Sequence, residues 1–556
     1  MDNIEELFEL RPLDLANSFL QLDELVTLLG LALVVYVVTD QRTNLRLSLL
    51  PYDLRRLSFY CFALAFAGKL LFEIIGRGAI PIPKIIPSMF WVDLAFIILL
   101  ATPIFLLTYF AFIWSPTVTR YNAEQVRKVF EQTIARGEQT ELIAAARVST
   151  GLVRSLVRLT PKIESQEQLD KAPKYQKHIW DFYFIIAQAR FVSVVVQSQP
   201  QIAVRFLNEV RNNPARNPPI APFINEVCIE MITNPMSIVR SEWSDYKRDY
   251  FSVVRPYSEY LFVNPENVKF ATQRGIQPFG DFFMSGDKLD SAQLSVLASL
   301  YIEYWTRLQD QERVREPHAA FPLFDGFSMW WLVSGKEVFE YKSEAYRKFA
   351  VVIRLIKGIL TAVNSKEQSF DHEGRLVNRV SERVCQAIYE IIFALGRIEG
   401  PEGMGTWGLY FSDFWCEVFD RFEDRNGVGQ AAIEKRIRRM IYDETKDMER
   451  YVNYKSARVL GFVLYITSIF SKGDRAGRNY HERVLWRYLS GWFKKNMMKV
   501  YHSAPKVAEA CMVGGMRFDP IERTITRDFM PSIAGKKSSV VIHLDAVKFF
   551  GAVERA

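Results

Sequence analysis

Three ionisable residues stand where the surrounding sequence should exclude them. Lys69 and Glu73 interrupt the apolar stretch Leu57–Gly76, and Asp93 immediately precedes the uncharged run that starts at Leu94. A charge near the middle of a bilayer costs at least ~2.5–3.5 kcal/mol, so such groups face protein or water and find partners. Lys69 and Glu73 are four residues apart, which puts them on one helix face. That spacing is compatible with a polar seam for ions or between subunits. It is equally what a self-neutralised pair that pins helix packing requires, and the second reading is favoured.

A second concentration of chemistry lies in residues 472–506. Nine Lys or Arg stand there against two acids, a local balance of +7, interleaved with Tyr480, Trp486, Tyr488, Trp492, Phe493 and Tyr501. Arg475, Arg478, Arg483, Arg487, Lys494, Lys495 and Lys499 are therefore candidate contacts for an anionic ligand or lipid headgroups. Cations bind phosphates by charge while aromatics stack on bases, so nucleic acid is a further but less favoured partner. Against all of these, Val484, Leu485, Tyr488 and Trp492 also make one helical apolar face, which would put the aromatics in a core.

Other patterns carry no chemistry. Gly403-Met-Gly405-Thr-Trp-Gly408 spells GxGxxG, but a helical segment, Ile388–Arg397, precedes it where a dinucleotide fold needs a strand. Gly535-Lys-Lys-Ser538 lacks the upstream glycine of a P-loop. The six histidines are dispersed, and Asp371-His372-Glu373 reads as a solvated loop because adjacent residues rarely converge on one metal. No GxSxG elbow or kinase signature is present. The five cysteines are scattered without a CxxC pair, against a disulfide framework or zinc. No catalytic residue, cofactor or metal is assigned, and the balance leans away from an enzyme.

The elements that must position these residues are dominated by three greasy segments. Leu25–Thr39 is uncharged but short, and residues 20–39 give it the length to span ~30 Å of hydrocarbon. The second span is placed at about 57–76 and the third at about 92–114, bracketed by Trp91 and Trp114 as an interfacial aromatic belt would be. Glu5, Glu6, Glu9, Asp14, Asp23 and Glu24 precede the first segment, the opposite of a basic signal-peptide start, so the chain is read as anchored. Basic residues alternate along the loops: Arg11 alone, then Arg42, Arg46, Arg55 and Arg56, then Arg77 and Lys84, then Arg120, Arg127, Lys128 and Arg136. Three spans with the N-terminus outside and the C-terminal bulk cytoplasmic, in the plasma (inner) membrane, satisfy every loop. The outer loop Ala79–Pro87 is stiffened by prolines and reads as a connector.

The remaining sequence reads as mainly α. At 556 residues the chain exceeds one domain. The expected organisation is a transmembrane domain over 1–121, a juxtamembrane helical subdomain over 122–211, a central helical domain over 223–471 and a basic-aromatic segment over 472–556. Asn122 with Gln125 forms a capping-box pattern, and Val126, Phe130 and Ile134 mark an apolar stripe. Four prolines and three asparagines in 212–222 break the helical pattern. Residues 261–289 read as irregular, with strand-like pieces. Two heptad-like seams, Ala345–Val363 and Val377–Leu395, predict an antiparallel helical hairpin within 337–396. Thr524–Thr526 and Ser538–Leu544 favour short strands that close the helical body.

This layout implies a membrane-anchored interaction or signalling protein whose helical body binds a partner or ligand. The alternative is an oligomeric pore or membrane-perturbing effector, with Lys69, Glu73 and Asp93 at its lumen. The partners expected are the lipid bilayer and either copies of the same chain or another protein.

Overall fold

The structure is a computed structural model. It describes residues 10–11, 27, 30, 40–50, 54–77, 82–83, 89–114, 116–161, 166–243, 256–279, 289–309, 343–364, 375–396, 428–468, 480–528 and 539–546. These residues are mostly helical, with a small antiparallel sheet near the C-terminus. The chain divides into two compact units, Met1–Glu230 and Met231–Ala556, and the division falls inside a helix rather than in the proline-rich 212–222.

The first unit begins with the strand pair β1 (Leu10–Arg11) and β2 (Ile82–Pro83), which are antiparallel. A short amphipathic helix α1 (Gln41–Ser48) precedes the hairpin of α2 (Leu54–Arg77) and α3 (Met89–Thr108). Pro103 lies inside α3, and the helix runs on into a π-helical turn, Tyr109–Ile113. Among the described residues, Arg56–Ile75 is long and apolar enough to cross a membrane, and Trp91–Leu106 is a shorter apolar helix packed beside it. Ala65 and Leu100 form the seam between them, with Phe62, Phe66, Phe96, Ile97 and Leu99 around it. Leu64, Leu71, Ile74, Ile98, Phe105 and Phe112 stay exposed on the outside of the hairpin. The first apolar segment, Leu25–Thr39, lies outside the described residues apart from positions 27 and 30.

Below the hairpin, α4 (Ala123–Arg136) and α5 (Gln139–Leu159) are joined by Gly137 at φ 73°, a left-handed helix terminus. Ala144, Ala145, Ala146 and Ser149 let neighbours approach α5 closely, and it packs against α1, α7 (Ala189–Ser198) and α8 (Gln201–Asn212). Helix α6 (Lys174–Ile186) lies on α4. Phe130 from the predicted stripe is fully buried edge-on against Phe182 at 4.9 Å and Phe191 at 6.3 Å. Helix α9 (Ala221–Thr233) carries Phe223 against Phe206 at 5.7 Å.

In the second unit, 259–273 is helical where the sequence suggested strand-like and loop-like pieces, and turns follow over 274–279. A π turn at Glu259–Val263 leads into α10 (Pro265–Gln273), whose cap Asn264 accepts hydrogen bonds from the Glu266 and Asn267 amides. The aromatic run overrides β propensity because Phe262, Phe279, Tyr301, Tyr304 and Trp305 bury together. Helix α11 (Ser291–Gln309) carries the last three of these.

The two heptad seams form helices α12 (Glu344–Asn364) and α13 (Arg375–Gly396), but their main partners are not each other. Helix α12 packs chiefly on α11, and α13 on α14 (Val428–Arg450) and α15 (Tyr454–Ser468). An apolar seam specifies burial without specifying the partner. Helices α16 (Tyr480–Ser503) and α17 (Pro505–Ala510) then pack against α15, where Gly461 has no Cβ to collide with the Cys511 carbonyl oxygen. The chain ends in a three-stranded antiparallel sheet, β3 (Arg517–Asp519), β4 (Thr524–Asp528) and β5 (Ser539–His543), one strand more than the sequence predicted.

Candidate functional site

The hairpin brings Lys69 and Asp93 together. Lys69 Nζ lies 2.6 Å from Asp93 Oδ1, and both residues are fully buried. Helix α2 supplies the cation and the first turns of α3 supply the anion, so the pair links two helices, where the spacing had suggested a pair along one. Gly68 makes this possible. A Cβ there would come within 2.8 Å of the Phe96 ring, so a glycine lets α3 approach at this level without displacing that ring. Phe72 meets Phe96 edge-on at 6.2 Å one turn on, walling the ion pair with aromatic surface. Glu73 is half-buried one turn from Lys69.

The base of the hairpin is tied to the helical body by side chains the sequence assigned to capping. Asn122 sits at the N-cap of α4 but makes no cap bond. Its Oδ1 accepts from the Thr119 amide at 2.6 Å and its Nδ2 donates to the carbonyls of Leu49 at 3.1 Å and Thr117 at 3.0 Å. Gln125 Nε2 donates to the Ser48 carbonyl at 3.1 Å. Both residues therefore satisfy carbonyls at the C-terminal end of α1 instead of capping α4. Leu47 and Leu50 rest on Phe110 and Trp114, so α1 joins the π-helical end of α3 to the bundle beneath.

The basic-aromatic segment resolves into two faces of α16. Leu485, Leu489, Trp492, Phe493 and Met497 are buried. Trp492 Nε1 donates to Glu449 at 2.9 Å, and the hydroxyls of Tyr488 and Thr445 are 2.6 Å apart. Trp492 and Phe493 are core, and Trp486, Tyr488 and Tyr501 are half-buried. Arg487, Lys494, Lys495 and Lys499 occupy the opposite, exposed face at helical spacing, with Lys494 3.7 Å from Asp545. Arg483 is buried on the inner side and does not belong to that stripe. Arg475 and Arg478 lie outside the described residues, as do the GxGxxG run and the Asp371-His372-Glu373 loop.

Sequence reasoning missed one buried polar cluster. Glu444 is buried and accepts from the Tyr389 hydroxyl, from Ser456 Oγ at 2.5 Å and from Lys455 at 3.0 Å. Burial pushes its carboxyl up, and the bonds from Ser456, Tyr389 and Lys455 overcome this and hold it below the usual carboxylate range. An acid kept ionised by three donors holds three helices, α13, α14 and α15, in register and is poorly suited to accept a proton. The four residues span 389–456, so no local motif announces them. Burial pushes the thiols of Cys385 and Cys511 up to about 12, which leaves neither as a nucleophile. Among the described residues no group of three His, Cys, Asp or Glu is placed to hold a metal.

No protein-family model, curated protein or solved structure matches the chain. Function rests on the geometry alone.

Proposed function

We propose that this chain is a membrane-anchored protein that crosses the bilayer three times and presents its helical body to a partner on the cytoplasmic side. The observation that carries the reading is the inverted surface of the α2–α3 hairpin. Its large apolar side chains face outward while its buried charges, Lys69 and Asp93, neutralise each other within. Lipid rewards that arrangement and water penalises it.

A third crossing is supported by where the neighbouring segments sit. Leu10–Arg11 pairs with Ile82–Pro83, in the connection at one end of the hairpin, whereas α1 packs on the π turn at the other end. The chain between residues 11 and 40 must connect those ends, and it contains the apolar run Leu25–Thr39. At 1.5 Å per residue, a helix of that connecting length covers the ~30 Å hydrocarbon thickness. The pairing of residues 10–11 with 82–83 supports reading the N-terminal arm and the outer loop as lying on one side, in keeping with the alternation of basic residues.

The closed ion pair favours an anchor over a pore. A lumen needs charges turned toward water, and Lys69 and Asp93 face each other between two helices of one chain. The exposed stripe Arg487, Lys494, Lys495 and Lys499 is the surface we assign to a partner bearing negative charge. Alkaline washing of membranes, followed by proximity labelling from the C-terminal body, tests the proposal. Retention until detergent is added, with a partner set lost on charge reversal of the stripe, supports it. Release into the supernatant, or labelling that no stripe variant alters, rejects it.

A further inference from the structure

Helices α14 and α16 run side by side in the same direction. The hydroxyls of Thr445 and Tyr488 are 2.6 Å apart and, four residues on in both helices, Glu449 accepts from Trp492 at 2.9 Å. The outward side of α14 carries Lys435, Arg439, Tyr442 and Lys446, all exposed, at steps of four, three and four, the spacing that keeps residues on one helix face. The rings of Tyr442 and Tyr488 lie 5.8 Å apart, tilted by 41°, and join that face to α16. Lys495 follows Tyr488 by two turns on the same side. Between them Gly491 leaves the surface open, since a Cβ there would meet nothing within 4 Å. Two basic clusters far apart in the sequence thus become one surface with tyrosine at its centre.

We infer that this surface binds a single-stranded nucleic acid, its phosphates on the cations of both helices and a base stacked on Tyr442. The inference rests on the assignment of the α16 stripe to an anionic partner and names the class of that partner. Charge complementarity calls for a polyanion. Lys435, Arg439, Arg487, Lys495 and Lys499 are exposed and, among the described residues, form no ion pair. The neighbouring acids are engaged or turned aside. Glu449 holds Trp492 and, at 3.4 Å, Lys446, while Asp545 lies 3.7 Å from Lys494. Asp443 and Asp447 lie a quarter turn or more beyond Tyr442, on the side away from α16.

The ring selects among polyanions. Tyr442 is 45% exposed, and among the described residues of α14 and α16 it is the one large apolar side chain left so open. An acidic protein segment would need a wider apolar centre than one ring. A lipid headgroup offers phosphate without a ring to stack. A nucleotide brings both, and cations that track the backbone beside an exposed aromatic hold single strands without reading sequence. Lys446 Nζ lies 5.4 Å from the centre of the Tyr442 ring, within reach of the phosphate of a base stacked there. From Arg487 to Lys499 the helix covers about 18 Å, room for several nucleotides.

The test is fluorescence anisotropy of the full chain, in micelles of an uncharged detergent, with a fluorescein-labelled oligothymidylate of about 15 nucleotides, within the usual range of site sizes. Wild type should bind it, with affinity falling steeply as salt rises. Arg487→Gln with Lys495→Gln should weaken binding and flatten the slope of log affinity against log salt by about 0.7 for each phosphate contact removed. Arg439→Gln, at an exposed position on α14, should flatten it too. Tyr442→Ala should weaken binding roughly fivefold or more and leave the slope unchanged, because stacking releases no counterions. No binding at low salt, a slope unaltered in every cation variant, or a Tyr442→Ala affinity equal to wild type would overturn the inference. Displacement by polyglutamate as effective as by unlabelled oligothymidylate would overturn it in favour of an acidic protein, with the proposed function left standing. The proposed function fails separately, on release from membranes or on labelling that ignores the stripe.

Discussion

The two units bury acids in opposite ways. In the hairpin, Asp93 is answered by a buried cation, Lys69, 2.6 Å away. In the second unit, Glu444 is answered by Tyr389, Ser456 and Lys455, two neutral donors and one half-exposed cation. Water nearby allows the second solution, because a donor lost at Glu444 can be replaced. Lipid allows no such replacement, so charge must be balanced one for one inside the hairpin. On the proposed reading, the contrast is the one expected with lipid around the hairpin and water near Glu444.

The largest effect should come from breaking the one-for-one pair. Lys69→Met or Asp93→Leu alone leaves a buried charge without its counterion, at a cost of about 3–5 kcal/mol. The double substitution should recover most of that loss, because removing both charges of a buried pair is often neutral. Melting of the detergent-solubilised chain measures the cycle. Single and double variants of equal stability would mean that the pair is exposed to water.

Glu444 should respond more mildly. Glu444→Ala leaves the Tyr389 and Ser456 hydroxyls without their acceptor and should cost about 1–3 kcal/mol. Because its native pKa is lowered, its contribution is complete above the unfolded value, about 4.3, and fades as pH falls through the native one. Glu444→Gln should therefore flatten the loss of stability on acidification. A wild-type and variant pair with parallel pH profiles would show that the carboxylate is not selectively stabilised.

Smaller again is the junction. Asn122→Ala removes the bonds to Leu49 and Thr117 and should cost about 1–2 kcal/mol, read as faster proteolysis between the hairpin and α4. Least of all, Lys495→Gln on the exposed stripe should leave stability within about 0.5 kcal/mol while weakening capture of an anionic partner. A stability loss there would mean that the stripe packs against something.

What the sequence made legible was periodic or local. The apolar stripe of α4 and the helices around both heptad seams follow from a 3.6-residue repeat, and the aromatic side of α16 follows from the same rule. Partners did not follow. Lys69 bonds across twenty-four positions to Asp93, a choice permitted by Gly68, and neither spacing nor composition encodes that approach. Asn122 and Gln125 fit a capping box by type and position, yet the carbonyls of α1 claimed them once the chain folded back. The cluster at Glu444 was invisible because its members meet only after α13, α14 and α15 pack.

The central claim is that the outward-facing apolar hairpin lies in lipid and separates the two ends of the chain. Thiol labelling of intact cells with a membrane-impermeant maleimide addresses it directly, using Arg11→Cys and Lys495→Cys in a chain freed of its native cysteines. The account predicts labelling at position 11 from outside and at position 495 only after lysis. Labelling of position 495 on intact cells, or of position 11 only after lysis, would contradict it.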